Sequence, residues 1–180
     1  MHYIKVNYIR DSKAILILSK GKREIFETEA FVGKNGITTN HIEGDGKTPL
    51  GIYELGIVFG THPIEEVQIG NYIQINDELY WVDDIDSKYY NKLVNIKNVK
   101  KDWTSAEHLI DYPKRYEYAI EIKTNLQNIK GKGSAIFLHC SINEPTHGCI
   151  AIDREAMKKI INFIKSEGKD NLNIQISKGM

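Results

Sequence analysis

Residues 134–153 read SAIFLHCSINEPTHGCIAID, and this stretch carries the strongest indication of both fold and chemistry. The apolar run from Ser134 to Leu138 predicts a strand that is buried on both faces and delivers His139 at its end. A polar loop follows, and Cys149 then enters a second apolar run. The pattern therefore predicts two strands whose ends are brought together by the loop, with an imidazole and a thiol at the junction.

Other segments alternate apolar with mainly polar residues, as expected of strands with one buried face. These sets are Ile4, Val6 and Tyr8; Tyr116, Tyr118, Ile120 and Ile122; and Leu172, Ile174 and Ile176. Further strands are predicted from Ala14 to Leu18, again buried on both faces, from Ile25 to Val32 and from Asn71 to Val82. The fold class is therefore predicted to be mainly β.

Two helices are predicted beside these strands. Thr104 and Glu107 have the spacing of a capping box, which predicts a short helix that begins there. A second helix is predicted to begin near Asp153, a good N-cap residue, and to end before Gly168. Its apolar residues recur at helical spacing, so one face should pack on the sheet. They are Met157, Ile160, Ile161 and Ile164.

The composition is ordinary for a globular protein, with 41% hydrophobic residues, 27% charged residues and a formal net charge of zero. This balance gives no electrostatic reason to expect nucleic acid or an anionic membrane as a partner. Apolar runs near the N-terminus are interrupted by charges, which predicts a strand and not a signal peptide or a membrane anchor. A length of 180 residues favours one domain spanning residues 1–180. The oligomeric state stays open.

The two groups at the predicted junction can act as a nucleophile and its base. A thiol with a free pKa of about 8.5 becomes a good nucleophile when a neighbouring imidazole takes its proton. We therefore expect Cys149 to be the nucleophile, His139 to be its base, and the pKa of the thiol to lie below its free value. Gly148 would let the backbone approach a substrate, and main-chain N–H groups there could bind the oxyanion of a tetrahedral intermediate. The spacing suits acyl transfer.

A metal site is the main chemical alternative, because four potential zinc ligands lie within eleven residues: His139, Cys140, His147 and Cys149. Adjacent residues on a strand point to opposite faces, so His139 and Cys140 cannot readily share one tetrahedral site. We therefore predict no metal. A disulfide between Cys140 and Cys149 would require an oxidising compartment and would consume the nucleophile.

The segment GDGKTPLG at residues 44–51 ends like a phosphate-binding loop, since Gly46-Lys47-Thr48 matches the last part of that motif. The first glycine of the motif would fall on His41, and Pro49 stands where the following helix would need an N–H. We therefore interpret Gly44, Gly46 and Gly51 as a loop between strands, with its geometry fixed by Pro49.

His139, the polar loop and Thr146-His147-Gly148-Cys149 together resemble the catalytic domain of the L,D-transpeptidases, also called the YkuD or ErfK type. The motif of that family runs from a histidine through a loop to Ser/Thr-x-Gly-Cys. A second match is to the family's Asp-x-x-Thr-Pro-x-Gly loop, at Asp45, Thr48, Pro49 and Gly51. A third stretch resembles a sub-branch of the family, WVDDIDSKYYN, with Trp81, Asp84 and Asn91. The resemblance spans roughly residues 30–165.

The resemblance implies a β-sandwich domain with peripheral helices and no cofactor. It implies that Cys149 forms a thioester with a peptidoglycan stem tetrapeptide and releases D-alanine, and that an amine of another stem then takes the acyl group. Water as the acceptor would make the protein an L,D-carboxypeptidase. An extracytoplasmic location at the cell wall follows from this function, although no signal peptide is visible. Thr146, His147 and Gly148 are expected around the substrate, with an exposed loop position as the alternative for His147.

The chain departs from the family pattern at two positions. Many members carry an arginine two residues after the cysteine, where this chain has Ala151, and a glycine after the histidine, where it has Cys140. The missing arginine leaves open how a substrate carboxylate is recognised. The missing arginine also favours the one alternative that is not an enzyme, a module that binds the cell wall without catalysing a reaction. The intact pair of His139 and Cys149 favours an enzyme.

Overall fold

The structure, a computed structural model, describes residues 2–179. Its first strands are β1 (His2–Arg10), β2 (Lys13–Lys20), β3 (Arg23–Phe31), β4 (Ile37–Thr38), β5 (Thr48–Pro49), β6 (Gly51–Gly60) and β7 (Ile73–Gln74). They are followed by β8 (Leu79–Val82), β9 (Lys92–Asn95), β10 (Ala106–His108), β11 (Ala119–Ile122), β12 (Phe137–Cys140), β13 (Ile150–Ile152) and β14 (Leu172–Lys178). The α-helices are α1 (Ile64–Val67) and α2 (Arg154–Glu167), and a 3-10 helix spans Leu109–Asp111. The prediction of a mainly β protein is confirmed.

Nine strands form the main sheet, in the order β11-β12-β13-β3-β2-β1-β14-β6-β7. Strand β11 pairs with β6 as well as with β12, so the sheet curves back on itself and encloses a core intermediate between a sandwich and a barrel. Strands β10, β8 and β9 form a separate three-stranded sheet, and β4 pairs with β5. The predicted β-sandwich class is confirmed.

The two runs that were predicted to be buried on both faces behave differently. Residues 134–140 are all buried, as predicted, although the strand itself begins at Phe137. In β2 the prediction is wrong, because Ala14, Leu16 and Leu18 are buried whereas Ile15 and Ile17 are only half-buried. One face of β2 points into the core, while the other is partly open to solvent. The segment from Asn71 to Val82 contributes two strands, β7 and β8.

Helix α2 forms where the sequence predicts it. The Asp153 carboxylate accepts a hydrogen bond of 2.8 Å from the Glu155 N–H, which caps the first turn, and the helix ends before Gly168. Its apolar face belongs to the same buried cluster as strands β1, β2 and β14. At 14 residues, α2 is the longest helix within residues 2–179. No helix in this part of the chain is long and apolar enough to cross a membrane.

The prediction of a helix that begins at Thr104 is wrong. Residues 106–108 form β10 instead, which pairs antiparallel with β8. The Thr104 N–H and hydroxyl both donate to the Asp84 carboxylate, at 2.7 and 2.9 Å, and the carboxyl of Glu107 accepts from the hydroxyl of Tyr116. Both side chains of the apparent capping box are thus used by tertiary partners, which the local pattern could not reveal.

The glycine-rich segment forms a loop, as predicted. Gly44 and Gly46 lie between β4 and β5, and Gly51 begins β6. Strands and not a helix follow Thr48, so the rejection of a phosphate-binding loop is confirmed.

Candidate active site

The site lies where β12 and β13 run side by side. These strands pair in parallel, with His139 opposite Ala151, and Cys149 immediately precedes β13. Cys149 is therefore level with Phe137, two residues before His139. Alternate side chains of a strand share a face, so Phe137 and His139 point to the same side of the sheet.

The other side of β12 belongs to the main core. Cys140 is buried in that apolar cluster, and its Sγ lies 3.8 Å from the carbonyl oxygen of Tyr118. Cys149 instead belongs to a second cluster together with Ala135 and Phe137. The prediction that His139 and Cys140 face opposite ways is confirmed. Both cysteines are free, and within residues 2–179 no three His, Cys, Asp or Glu side chains are arranged to hold a metal ion.

His139 and Cys149 both line a cleft with a volume of about 230 Å³. Other residues that line it are Glu107, Arg115, Tyr116, Thr146, His147 and Ala151. His147 is exposed on the rim, whereas Thr146 is buried. The structure thus brings together Cys149 and His139, the predicted nucleophile and base, with two further residues that the motif predicts around the substrate.

The thiol of Cys149 is held by the backbone of the neighbouring strand. Its Sγ donates to the carbonyl oxygen of Ala135 at 3.2 Å and accepts from the Phe137 N–H at 3.3 Å. Burial raises the pKa of the thiol to about 12, and the negative charge of Glu107 acts in the same direction. The expected lowering of this pKa is therefore wrong for the unliganded protein. The cysteine is a protonated thiol at neutral pH.

The imidazole of His139 is neutral as well. Its Nδ1 lies 2.8 Å from the carbonyl oxygen of Cys140, and because a carbonyl can only accept, Nδ1 must carry the proton. Nε2 is then the unprotonated nitrogen. Burial lowers the pKa of His139 to about 4. The ring of Tyr116 meets the imidazole edge-on, with 5.5 Å between the centroids, and supports its orientation.

Gly148 has a conformation that other residues rarely adopt. Its φ is +143°, and a Cβ there would lie 2.9 Å from Cδ1 of Ile136 and 3.1 Å from the carbonyl oxygen of Lys47. The Gly148 N–H donates to the Thr146 hydroxyl at 3.1 Å, and that hydroxyl donates to the carbonyl oxygen of Cys149 at 2.6 Å. Thr146 thus fixes the backbone around the nucleophile, and the Gly148 N–H, expected to face an oxyanion, already has an acceptor.

A family model for the L,D-transpeptidase catalytic domain, YkuD, matches residues 1–174 of this chain. The chain belongs to this family. The match extends well beyond the roughly 30–165 over which the motifs are found. The family is of the peptidoglycan L,D-transpeptidase type and typically acts at the cell wall.

Two solved structures are similar to this L,D-transpeptidase domain. The helical cell shape determining protein Pgp2 from Campylobacter jejuni has a TM-score of 0.54 and 19% identity, over 99% of this chain and 48% of that one. L,D-transpeptidase 1 from Mycobacterium tuberculosis has a TM-score of 0.39 and 10% identity, over 97% of this chain and 62% of that one. The chain thus spans about half to three fifths of their lengths. No curated protein sequence matches it.

The upstream motif of the L,D-transpeptidase domain supports the nucleophile loop. Thr48 is completely buried, and its hydroxyl accepts from the Gly33 N–H at 2.9 Å and donates to the carbonyl oxygen of Gly148 at 2.8 Å. The Asp45 carboxylate accepts from the N–H groups of Ile42 and Lys47, at 3.0 and 2.8 Å. Asp45 therefore orders the loop that delivers Thr48.

The third motif, which contains Trp81 and Asn91, is linked to the Cys149 thiol through the backbone of Ala135. Oδ1 of Asn91 accepts from Nε1 of Trp81 and from the Ala135 N–H, both at 3.1 Å. Ala135 has a φ of +52°, which is unusual for a residue with a side chain, and its carbonyl oxygen is the one that the Cys149 thiol contacts. Asp84 lies further away and orders a loop by binding Thr104.

Tyr116, Glu107 and Arg115 are among the cleft residues that the sequence does not predict as site residues. Apolar alternation predicts only a strand face for Tyr116, the capping-box spacing predicts a helix N-terminus for Glu107, and no pattern marks Arg115. The carboxyl of Glu107 is enclosed by protein, and burial raises its pKa to about 7. A buried carboxyl group in the same cleft as a thiol and an imidazole becomes recognisable only after the pairing of β10 with β8 is known.

Proposed function

We propose that this protein is a peptidoglycan L,D-transpeptidase that works through a thioester on Cys149. The single observation that carries the proposal is that Cys149 and His139 line one cleft, with the proton of His139 held on Nδ1 and Nε2 unprotonated. A neutral thiol and a neutral imidazole that line the same cleft are a starting state for general-base catalysis, because the proton moves only when the carbonyl carbon is attacked.

In the acylation step, the Cys149 proton passes to Nε2 of His139 as Sγ attacks the carbonyl carbon before the terminal D-alanine of a stem tetrapeptide. The tetrahedral intermediate collapses when the bond to the D-alanine nitrogen breaks and His139 gives its proton to that nitrogen. D-Alanine leaves and a thioester remains. Because the Gly148 N–H already donates to Thr146, we assign the oxyanion to the N–H of Cys149 itself.

In the second step, an amine of a neighbouring stem attacks the thioester carbonyl and gives a proton to His139, which returns it to the departing sulfur. The product is a new peptide bond and a free thiol. Thr146 and Gly148 hold the loop through both steps, and His147 on the rim contacts the peptide. All groups come from the chain and the two stems, so the proposal needs no cofactor, and it places the protein at the cell wall outside the cytoplasmic membrane.

The nucleophile is tested with a carbapenem, whose strained lactam acylates a reactive cysteine and stays attached after ring opening. Mass spectrometry of the intact protein should show one adduct. Cys140→Ala is the matched control, since Cys140 is also buried but belongs to the other core cluster, and it should keep the adduct. Cys149→Ala should lose it. An adduct that survives Cys149→Ala would refute the assignment.

The acceptor is tested by incubating the protein with stem tetrapeptides and analysing the products by chromatography and mass spectrometry. Cross-linked dimers together with free D-alanine are expected for the transpeptidase. Tripeptide and D-alanine without dimers would identify a carboxypeptidase. No D-alanine release, with a normally folded parent, would favour the wall-binding module and overturn the proposal.

A further inference from the structure

We propose that Arg115 binds the C-terminal carboxylate of the peptide whose acyl group Cys149 takes. The cleft would thereby select peptides that end in a free carboxylate next to the attacked bond. This inference rests on the proposed acyl transfer and deepens it, since it names the feature of the substrate that the site recognises.

The backbone fixes Arg115 beside the catalytic pair. Its carbonyl oxygen accepts a hydrogen bond of 3.0 Å from the N–H of Cys140, the residue after His139. The side chain lines the same cleft as His139 and Cys149, and it is the one Lys or Arg side chain among the described residues of that lining. A positive charge thus lines the cleft that also contains Cys149 and His139.

The guanidinium of Arg115 is oriented but not strongly paired. It lies over the ring of Tyr112, with 5.7 Å from Cζ to the ring centroid. One nitrogen lies 3.5 Å from the carboxylate of Glu144, and the two side chains are 38% and 63% exposed. An exposed ion pair with a single contact contributes little free energy. A substrate carboxylate that forms two parallel hydrogen bonds can therefore replace Glu144.

The other charged groups nearby do not compete for this function. Glu107 accepts from the hydroxyl of Tyr116 and is turned toward that residue. Arg154, at the start of α2, is held by the Glu117 carboxylate through two nitrogens, at 2.7 and 2.6 Å. Ala151, opposite His139, fills little of the cleft and leaves room for a ligand group. Arg115, which precedes β11 in the chain, therefore supplies a positive charge that no residue of β13 provides.

The proposal is tested with two peptide substrates that differ only at the C-terminus, one with a free carboxylate and one with a carboxamide. We expect the parent to prefer the acid by about tenfold or more in kcat/KM, mainly through KM, because a charge-assisted bidentate contact is lost in the amide. Arg115→Gln should remove the preference by weakening the acid alone. Arg115→Lys should keep part of it, and Lys114→Gln, an exposed neighbour outside the cleft, should keep all of it. An equal loss on both substrates in Arg115→Gln would overturn the proposal.

A second measurement separates this inference from the proposed function. Alkylation of Cys149 by iodoacetate, an anion, is compared with alkylation by the neutral iodoacetamide, and neither requires peptide turnover. The ratio of the two rates should fall severalfold in Arg115→Gln and stay at the parent value in Lys114→Gln. An unchanged ratio in Arg115→Gln would overturn the anion site. No turnover of either peptide by the parent, together with an Arg115-dependent ratio, would overturn the proposed function and leave the anion site standing.

Discussion

The hydroxyl of Thr48 donates a hydrogen bond of 2.8 Å to the carbonyl oxygen of Gly148, 100 residues further along the chain. The same hydroxyl accepts from the N–H of Gly33, and both contacts are buried. One side chain from the upstream motif thus holds the residue before the nucleophile against the β3–β4 connection. The two motifs of the family act as one structural unit, which accounts for their joint appearance in the sequence.

Thr48→Val should lower the free energy of unfolding by about 1–3 kcal/mol, because it keeps the shape but leaves a buried N–H and a buried carbonyl without partners. Urea denaturation measures this loss. Thr48→Ser retains the hydroxyl and should lose much less. If the serine and valine variants are equally destabilised, the hydrogen bonds do not hold the loop and methyl packing accounts for the effect.

Gly148→Ala should reduce carbapenem acylation at least tenfold and lower the melting temperature, since its φ of +143° is strained for a residue with a side chain and the added methyl group would press on Ile136 and the Lys47 carbonyl. Acylation rates and thermal unfolding give the two measurements. Gly70→Ala is the control, because a Cβ there meets nothing within 4 Å, and it should match the parent. A fully active Gly148→Ala would show that the loop adapts.

Cys140→Ser should leave turnover nearly unchanged, because Cys140 faces the main core and not the cleft. Placing a hydroxyl there should cost stability instead, by about 1–3 kcal/mol, since it is buried with a single distant carbonyl. Cys149→Ala should abolish turnover while circular dichroism stays that of the parent. Equal losses of activity at the two cysteines would contradict the separate positions of their side chains.

His139 should lower the stability of the protein on mild acidification, whereas Glu107, whose pKa is raised by burial to about 7, acts in the opposite direction. The pKa of His139 is lowered by burial from 6.5 to about 4, so between these values the unfolded chain binds a proton that the folded protein does not. The corresponding stability is present above pH 6.5 and is lost as the pH falls toward 4, up to about 3 kcal/mol. Urea unfolding at pH 7 and pH 5 measures the slope. His139→Gln should show a shallower slope, and an identical slope would contradict the burial of a neutral imidazole.

Glu107→Gln should make the Cys149 thiol more reactive toward iodoacetamide. Burial is the main cause of the raised thiol pKa, and the Glu107 charge adds to it, so removing that charge lowers the pKa. The rate should rise severalfold above pH 7, where Glu107 is ionised, and little below it. Glu155→Gln, at the exposed start of α2, is the control and should follow the parent. A slower Glu107→Gln protein would indicate that Glu107 positions the thiol and does not repel its negative charge.

The secondary structure of segments with a clear local sequence pattern could be predicted. Alternation in β1 and β14 gave the mainly β class, and the cap residue Asp153, the apolar spacing and Gly168 gave α2. The histidine and the Ser/Thr-x-Gly-Cys motif gave the pair at the site because a strand, a loop and a second strand determine their proximity over a short stretch of chain. The opposite directions of His139 and Cys140 followed from strand geometry alone.

Thr104 and Glu107 show where local pattern fails. Their spacing is that of a helix start, but Thr104 donates to Asp84, 20 residues away in the chain, and Glu107 accepts from Tyr116, 9 residues away. Whether a capping residue uses its own backbone or another segment is decided by tertiary packing, since both satisfy the same polar groups. Tertiary packing therefore places Glu107 in the cleft, where the local pattern predicts a helix start.

The candidate residues for the chemistry could be identified from the chain alone, since a thiol and an imidazole at this spacing are encoded in 134–153. Their protonation depends on the fold. An imidazole beside a thiol was expected to lower the thiol pKa, whereas burial raises it to about 12 and lowers that of His139 to about 4. The reason is physical: the cost of desolvating a charge depends on how completely distant segments enclose it, and no local pattern encodes that enclosure. The same holds for Arg115, which lines the cleft only because strands from different parts of the chain meet there.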